Sequence, residues 1–173
     1  MYFAHSLPYT YSMLNEYLSA QKIKRHTLCH SLAGNKVEYI IITNKPKTPP
    51  VQKQVIMLTS RVHPGETGAS WMIHGLIDTL LNPKDAKEEE LVNNLKDHFE
   101  FYIIPMLNVD GVINGNYRCS LAACDLNRKW LKPSKALHPP VYYTKKLCTT
   151  IMEDKQFFLY LDFHGHSVKK NIF

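Results

Sequence analysis

The sequence predicts an α/β fold, a mixed and mostly parallel sheet with helices on both faces. Short apolar runs of strand length recur at Val55-Ile56-Met57-Leu58, Phe101-Tyr102-Ile103-Ile104-Pro105-Met106 and Phe157-Phe158-Leu159-Tyr160-Leu161, and continuous apolar runs of this length fit strands buried on both faces. Between them lie stretches with apolar residues at helical spacing, Ala69–Leu81, Asp85–Phe99 and His138–Asp154. Strands and helices alternating along a chain give a sheet layered between helices. At 173 residues the chain is one domain, long enough to bury a core.

Taken in order, Ser12 is expected to cap a helix running through Leu14, Tyr17 and Leu18. Lys22 to Arg25 form a polar link. Leu28 and the run Val37–Thr43 read as strands on either side of the turn Ala33-Gly34-Asn35-Lys36. Asn44 to Gln54, with three prolines and three lysines, is a solvated loop. Asn82-Pro83 ends the second helix, and the glutamates after Asp85 mark a solvated helix face. Leu107 to Leu131 is a long irregular segment rich in Asn, Gly and Arg, and such segments in compact domains are usually functional.

Composition excludes some classes. The formal charge of +6 is spread in pairs such as Lys24-Arg25 and Lys145-Lys146; it favours acidic partners, and no nucleic-acid motif accompanies it. No stretch reaches the roughly 18 apolar residues of a membrane span, and the N-terminus lacks the pattern of a secretion signal. Cys29, Cys119, Cys124 and Cys148 show no Cys-x-x-Cys pairing, which reads as reduced thiols in a cytoplasmic protein. Cys119 and Cys124 are taken as buried bystanders.

The run Val55–Leu58 leads into Ser60-Arg61-Val62-His63-Pro64-Gly65-Glu66-Thr67-Gly68. Pro64-Gly65 turns the backbone, which puts His63 on a loop and Glu66 at the start of the next helix. An imidazole and a carboxylate three residues apart on such a turn can converge on one cation. The last apolar run also ends in a histidine, His164. Ligands in open α/β sheets bind beyond the carboxyl ends of strands, so His63, Glu66 and His164 are candidate ligands of one zinc ion. Two His and one Glu leave a fourth position open, the catalytic arrangement. Arg118, Asn127 and Arg128, all in the irregular segment, can form a carboxylate receptor, because a guanidinium matches a carboxylate fork.

These motifs match one family together and in order. Pro8-Tyr9-Thr10-Tyr11-Ser12, Arg61–Thr67, Pro105-Met106-Leu107-Asn108, Asp110-Gly111-Val112, Gly115–Leu121, Asp125-Leu126-Asn127-Arg128 and His164-Gly165-His166-Ser167 resemble the zinc metallocarboxypeptidases, specifically the cytosolic carboxypeptidases that trim glutamates from tubulin tails. The resemblance implies a zinc carboxypeptidase fold, with zinc on His63, Glu66 and His164. It implies that Asn127 and Arg128 hold the terminal carboxylate of the substrate, and that Arg118 both binds substrate and acts catalytically by polarising the scissile carbonyl. Asp125 matches the carboxylate that accepts the other ring N–H of His63. The implied substrate is an acidic C-terminal tail, such as that of polyglutamylated tubulin.

The chain departs from the family's pattern in three places. Asn108-Val109-Asp110-Gly111 stands where Asn-Pro-Asp-Gly is usual, and Ala123-Cys124 where a Gly and a variable residue are. The family's general base is a glutamate well downstream of the third ligand, and no acidic residue follows His164. Asp162 precedes His164 on its strand and is expected to point away. Residues 1–173 therefore read as the N-terminal part of a catalytic domain whose C-terminal part is missing, inactive alone. Two alternatives stand beside the carboxypeptidase: a zinc-dependent binder of acidic tails without turnover, and a zinc-dependent acylase acting on N-acyl amino acids.

Overall fold

The computed structural model describes residues 4–46, 52–166, 168–169 and 171–172. Ser167 of the His164 motif, residues 47–51 of the proline-lysine loop and the first three residues of the N-terminus lie outside them.

Five strands, β1 (Arg25–His30), β2 (Lys36–Ile42), β3 (Gln54–Ser60), β4 (Phe99–Ile104) and β5 (Phe157–Phe163), form one sheet in the order β1-β2-β4-β3-β5. The sheet is mixed. Pairings β1·β2 and β2·β4 are antiparallel, whereas β3·β4 and β3·β5 are parallel. The helices are α1 (Tyr11–Ala20), α2 (Thr67–Leu81), α3 (Ala86–His98), α4 (Val109–Asn114) and α5 (Pro139–Asp154).

Successive strand side chains point to opposite faces, and every residue of β3 from Val55 to Ser60 is buried. The sheet around β3 is therefore covered on both sides. Ile73, Ile77 and Leu80 of α2 join Met57, Leu58, Ile103 and Ile104 of the sheet in one core with Leu18 of α1 and Val141 of α5. Each fully buried Leu or Ile there contributes about 1.5–3 kcal/mol.

Four sequence expectations are corrected. Thr10, in extended backbone, caps α1 through an Oγ1 that accepts the Met13 N–H at 3.1 Å, and Ser12 lies inside the helix. The segment from Leu107 to Leu131 is only partly irregular: α4 is capped by the Asn108 side chain and ends at Gly115 with φ 76°, and a 3-10 turn covers Leu126–Arg128. A six-residue helix containing Gly111 is too short to show a hydrophobic period. β5 was expected to be buried and is not, with Phe158 58% and Tyr160 41% exposed. It pairs with β3 on one side only among the described residues, and an apolar run does not distinguish an edge strand from an interior one. Cys119 is exposed and Cys124 half-buried, and neither belongs to a metal-capable cluster among the described residues. No helix among them is long and apolar enough to cross a membrane.

Candidate metal centre

β3 delivers the chain to the centre, and a buried arginine fixes the loop that follows. Arg61 takes left-handed backbone, φ 58°, and is 3% exposed. Its guanidinium donates to the Pro64 carbonyl at 2.7 Å, the Tyr9 carbonyl at 3.2 Å and Ser70 Oγ at 2.8 Å. Burial lowers its pKa to about 10, which leaves it charged at neutral pH.

The segment after β4 closes the loop from the other side. Leu107 and Asn108 N–H donate to the Ser60 and Arg61 carbonyls, and the Asn108 amide donates to the Val62 carbonyl at 3.2 Å. Gly65 N–H donates to the Tyr117 carbonyl at 2.7 Å. A Cβ on Gly65 would lie 2.8 Å from that oxygen and closer still to the ring, so only glycine permits this approach.

The pinned loop aims two side chains at a third. His63, 4% exposed, places Nδ1 2.8 Å from Glu66 Oε1 and Nε2 3.0 Å from Asp125 Oδ1. His164 places Nδ1 3.1 Å from Glu66 Oε2 and Nε2 2.6 Å from Asp162 Oδ2. Glu66 occupies the N-cap position of α2 without a side-chain capping bond; its carboxylate turns to the histidines and accepts the Gly165 N–H at 2.8 Å. One donor atom from each of His63, Glu66 and His164 lies within 4.8 Å of the others.

The electrostatics suit a cation. A ring that gives its Nε2–H to a carboxylate presents a bare lone pair at Nδ1. Two such lone pairs beside the Glu66 carboxylate are balanced by positive charge, as protons on the rings or as a metal ion. Burial pushes the Glu66 carboxyl up, but hydrogen bonds from His164, His63 and the Gly165 N–H hold it far below the usual carboxylate range. Hydrogen bonds to Asp162, then Glu66, push His164 up to about 10. Burial also opposes ionisation of Asp125, and His63, the Asn127 N–H and Arg118 reverse this and hold it low. Two imidazoles and one carboxylate are a donor set that zinc accepts, with room for a further ligand.

The remaining candidates gather unevenly. Arg118, about half exposed, donates through Nε to Asp125 Oδ2 at 2.9 Å, so it stands behind His63. Asn127 is held by its N–H on Asp125 Oδ1 at 2.8 Å and by the Trp130 indole N–H on its Oδ1 at 2.8 Å. Arg128 is exposed, and its guanidinium has no partner among the described residues. No hydrogen bond joins Arg118, Asn127 or Arg128 to Glu66 or His164 among the described residues. Asp162 lies behind the His164 ring: residues two apart on a strand share a face, and Asp162 Oδ2 meets Nε2, the ring nitrogen turned away from Glu66. Arg61 and Thr59 carried no sequence signal of their roles, because Tyr9 and Asp162 lie far along the chain, and Trp130 carried none although Asn127 is only three residues away.

A zinc carboxypeptidase family model matches residues 11–171. Cytosolic carboxypeptidase 3 of Mus musculus is 47% identical over 99% of this chain, and cytosolic carboxypeptidase 2 of Homo sapiens 45% identical over 99%. The chain spans 17% and 20% of the length of these two relatives. Among solved structures, a metallo-carboxypeptidase from Burkholderia cenocepacia superposes with a TM-score of 0.83 at 26% identity, over 92% of this chain and 42% of that one.

Proposed function

The chain belongs to the zinc carboxypeptidase family, and from that premise we propose that it holds the zinc of a carboxypeptidase that removes C-terminal glutamates from acidic protein tails. Polyglutamylated tubulin is the substrate we favour, and the cytoplasm the compartment. The observation that carries the reading is the convergence of donor atoms from His63, Glu66 and His164 within 4.8 Å of one another at the mouth of the parallel strands. The names of the cytosolic relatives support the substrate and the compartment, and the net charge of +6 is of the sign an acidic tail needs.

Zinc, when bound, polarises the scissile carbonyl and makes water a better nucleophile at neutral pH. Around it this chain's residues hold and orient. His63, Glu66 and His164 are the ligands. Asp125 accepts the His63 Nε2–H and so keeps Nδ1 free for the metal. Arg118 lies within one side chain of His63, tied to the same Asp125, and is assigned to the carbonyl and the charge that develops on its oxygen. Trp130 takes the Asn127 oxygen, so the Asn127 NH₂ is left as a donor for the substrate's terminal carboxylate, and Arg128 supplies the paired N–H groups beside it.

The test is release of free glutamate from a polyglutamylated peptide by the full protein, followed by mass spectrometry with and without a chelator. Zinc-dependent, stepwise release is expected. Stoichiometric zinc with peptide bound and no glutamate released would overturn the hydrolytic reading in favour of a zinc-dependent tail binder.

A further inference from the structure

Both histidines carry a carboxylate on the ring nitrogen that faces away from Glu66, Asp125 on His63 and Asp162 on His164. Resting on the zinc reading above, we propose that Asp162 is the positioning residue of the His164 ligand, and that Thr59 and Tyr160 position Asp162 in turn. The basis is strand register. Parallel pairing sets Thr59 beside Asp162 and Met57 beside Tyr160, and residues 160, 162 and 164 follow the two-residue alternation that brings them to one face. Thr59, fully buried, donates its hydroxyl proton to Asp162 Oδ1 at 2.8 Å, and the Tyr160 hydroxyl lies 3.0 Å from Thr59 Oγ1.

Proton accounting gives the arrangement a direction. Thr59 has one hydroxyl proton and spends it on Asp162, so Tyr160 donates to Thr59. Asp162 accepts from Thr59 on one oxygen and from the His164 Nε2–H on the other. The ring is thereby fixed in the tautomer and orientation that points the Nδ1 lone pair at Glu66, which is the atom a cation needs. His63 gets the same service from a turn in a loop, and His164 gets it from the sheet itself. No Lys or Arg pairs with Asp162 among the described residues, so its two hydrogen bonds account for both oxygens.

Zinc affinity, measured on the full protein by competition with a chromophoric chelator, tests this apart from activity. Asp162→Asn is nearly isosteric and should raise the zinc dissociation constant by about 10–100-fold. Thr59→Val, which removes the hydroxyl that donates to Asp162 and accepts from Tyr160, should raise it by about tenfold or less. Nitrogen NMR of the unsubstituted zinc-loaded protein should show His164 protonated at Nε2 and metal-shifted at Nδ1, a readout that needs no variant to fold. Zinc affinity of Asp162→Asn within about twofold of the unsubstituted protein, or a metal-shifted Nε2 on His164, would overturn the proposal. His63→Ala separates the two failures: if it abolishes zinc binding while Asp162→Asn stays within about twofold of the unsubstituted protein, this inference alone falls, and if it leaves binding unchanged the zinc reading itself falls.

Discussion

The His63 half and the His164 half of the centre reach the same geometry by opposite means. His63 is buried on a loop that three other segments grip: Arg61 reaches Tyr9 and Ser70, Asn108 holds Val62, and Tyr117 receives Gly65. His164 follows an edge strand with exposed neighbours, and its orientation comes from one parallel pairing. The difference teaches that a ligand on a loop needs many long-range contacts to hold it, whereas a ligand at a strand end inherits its position from register.

The comparison is broken or sharpened most by Arg61. Arg61→Met leaves the Pro64 and Tyr9 carbonyls and the Ser70 hydroxyl without that donor in a buried site, and should cost about 3 kcal/mol in urea unfolding; a loss below about 0.5 kcal/mol would show that the loop is not held this way. Gly65→Ala comes next. Its Cβ meets Tyr117, and the strain should cost about 1–3 kcal/mol, read in the same unfolding curves together with weakened zinc binding.

Titration of the chelated protein distinguishes the halves at a smaller scale. His164 has its pKa raised from 6.5 to about 10, so its stabilisation is complete below 6.5 and is lost as pH rises toward 10. Asp125 is held below its ordinary 3.8, so the stabilisation it gives the His63 side is present above that value and lost as pH falls through the lowered one. Thermal unfolding against pH should therefore weaken at both ends, and Asp162→Asn should flatten only the alkaline limb. The smallest effect is expected on the exposed face of β5, where Phe158→Thr should change stability by no more than about 0.5 kcal/mol. A core-sized loss there would mean that this face is covered in solution.

Much of the fold was legible because its signals are local. The apolar run Val55–Leu58, the Pro64-Gly65 break and the helical spacing after Ala69 place β3, the loop and α2 without reference to any other part of the chain. His63, Glu66 and His164 were legible as candidates because metal ligands are few in kind. Apart from the convergence of His164 on His63 and Glu66, what depends on two distant segments at once could not be read. The position of Asp162 before His164 on its strand turned it away from the Glu66 side, but what it meets there could not be read. Its contact with Thr59, 103 positions earlier, exists only through the β3–β5 pairing. Arg61 gave no sign of its burial, since one of its carbonyl acceptors comes from the far N-terminal Tyr9. The exposure of β5 was hidden for a related reason: how much of a strand is covered is decided by what lies beside it.

Gly65 hands its N–H to the carbonyl of Tyr117, and the very next residue is Arg118. The spacing between the His63–Glu66 turn and the Arg118 guanidinium is thus gauged by a single peptide link. Farther on, Asn127 is tied to the same site through its N–H on Asp125 Oδ1. One inserted residue between Tyr117 and Arg118 would throw the turn and the guanidinium out of step.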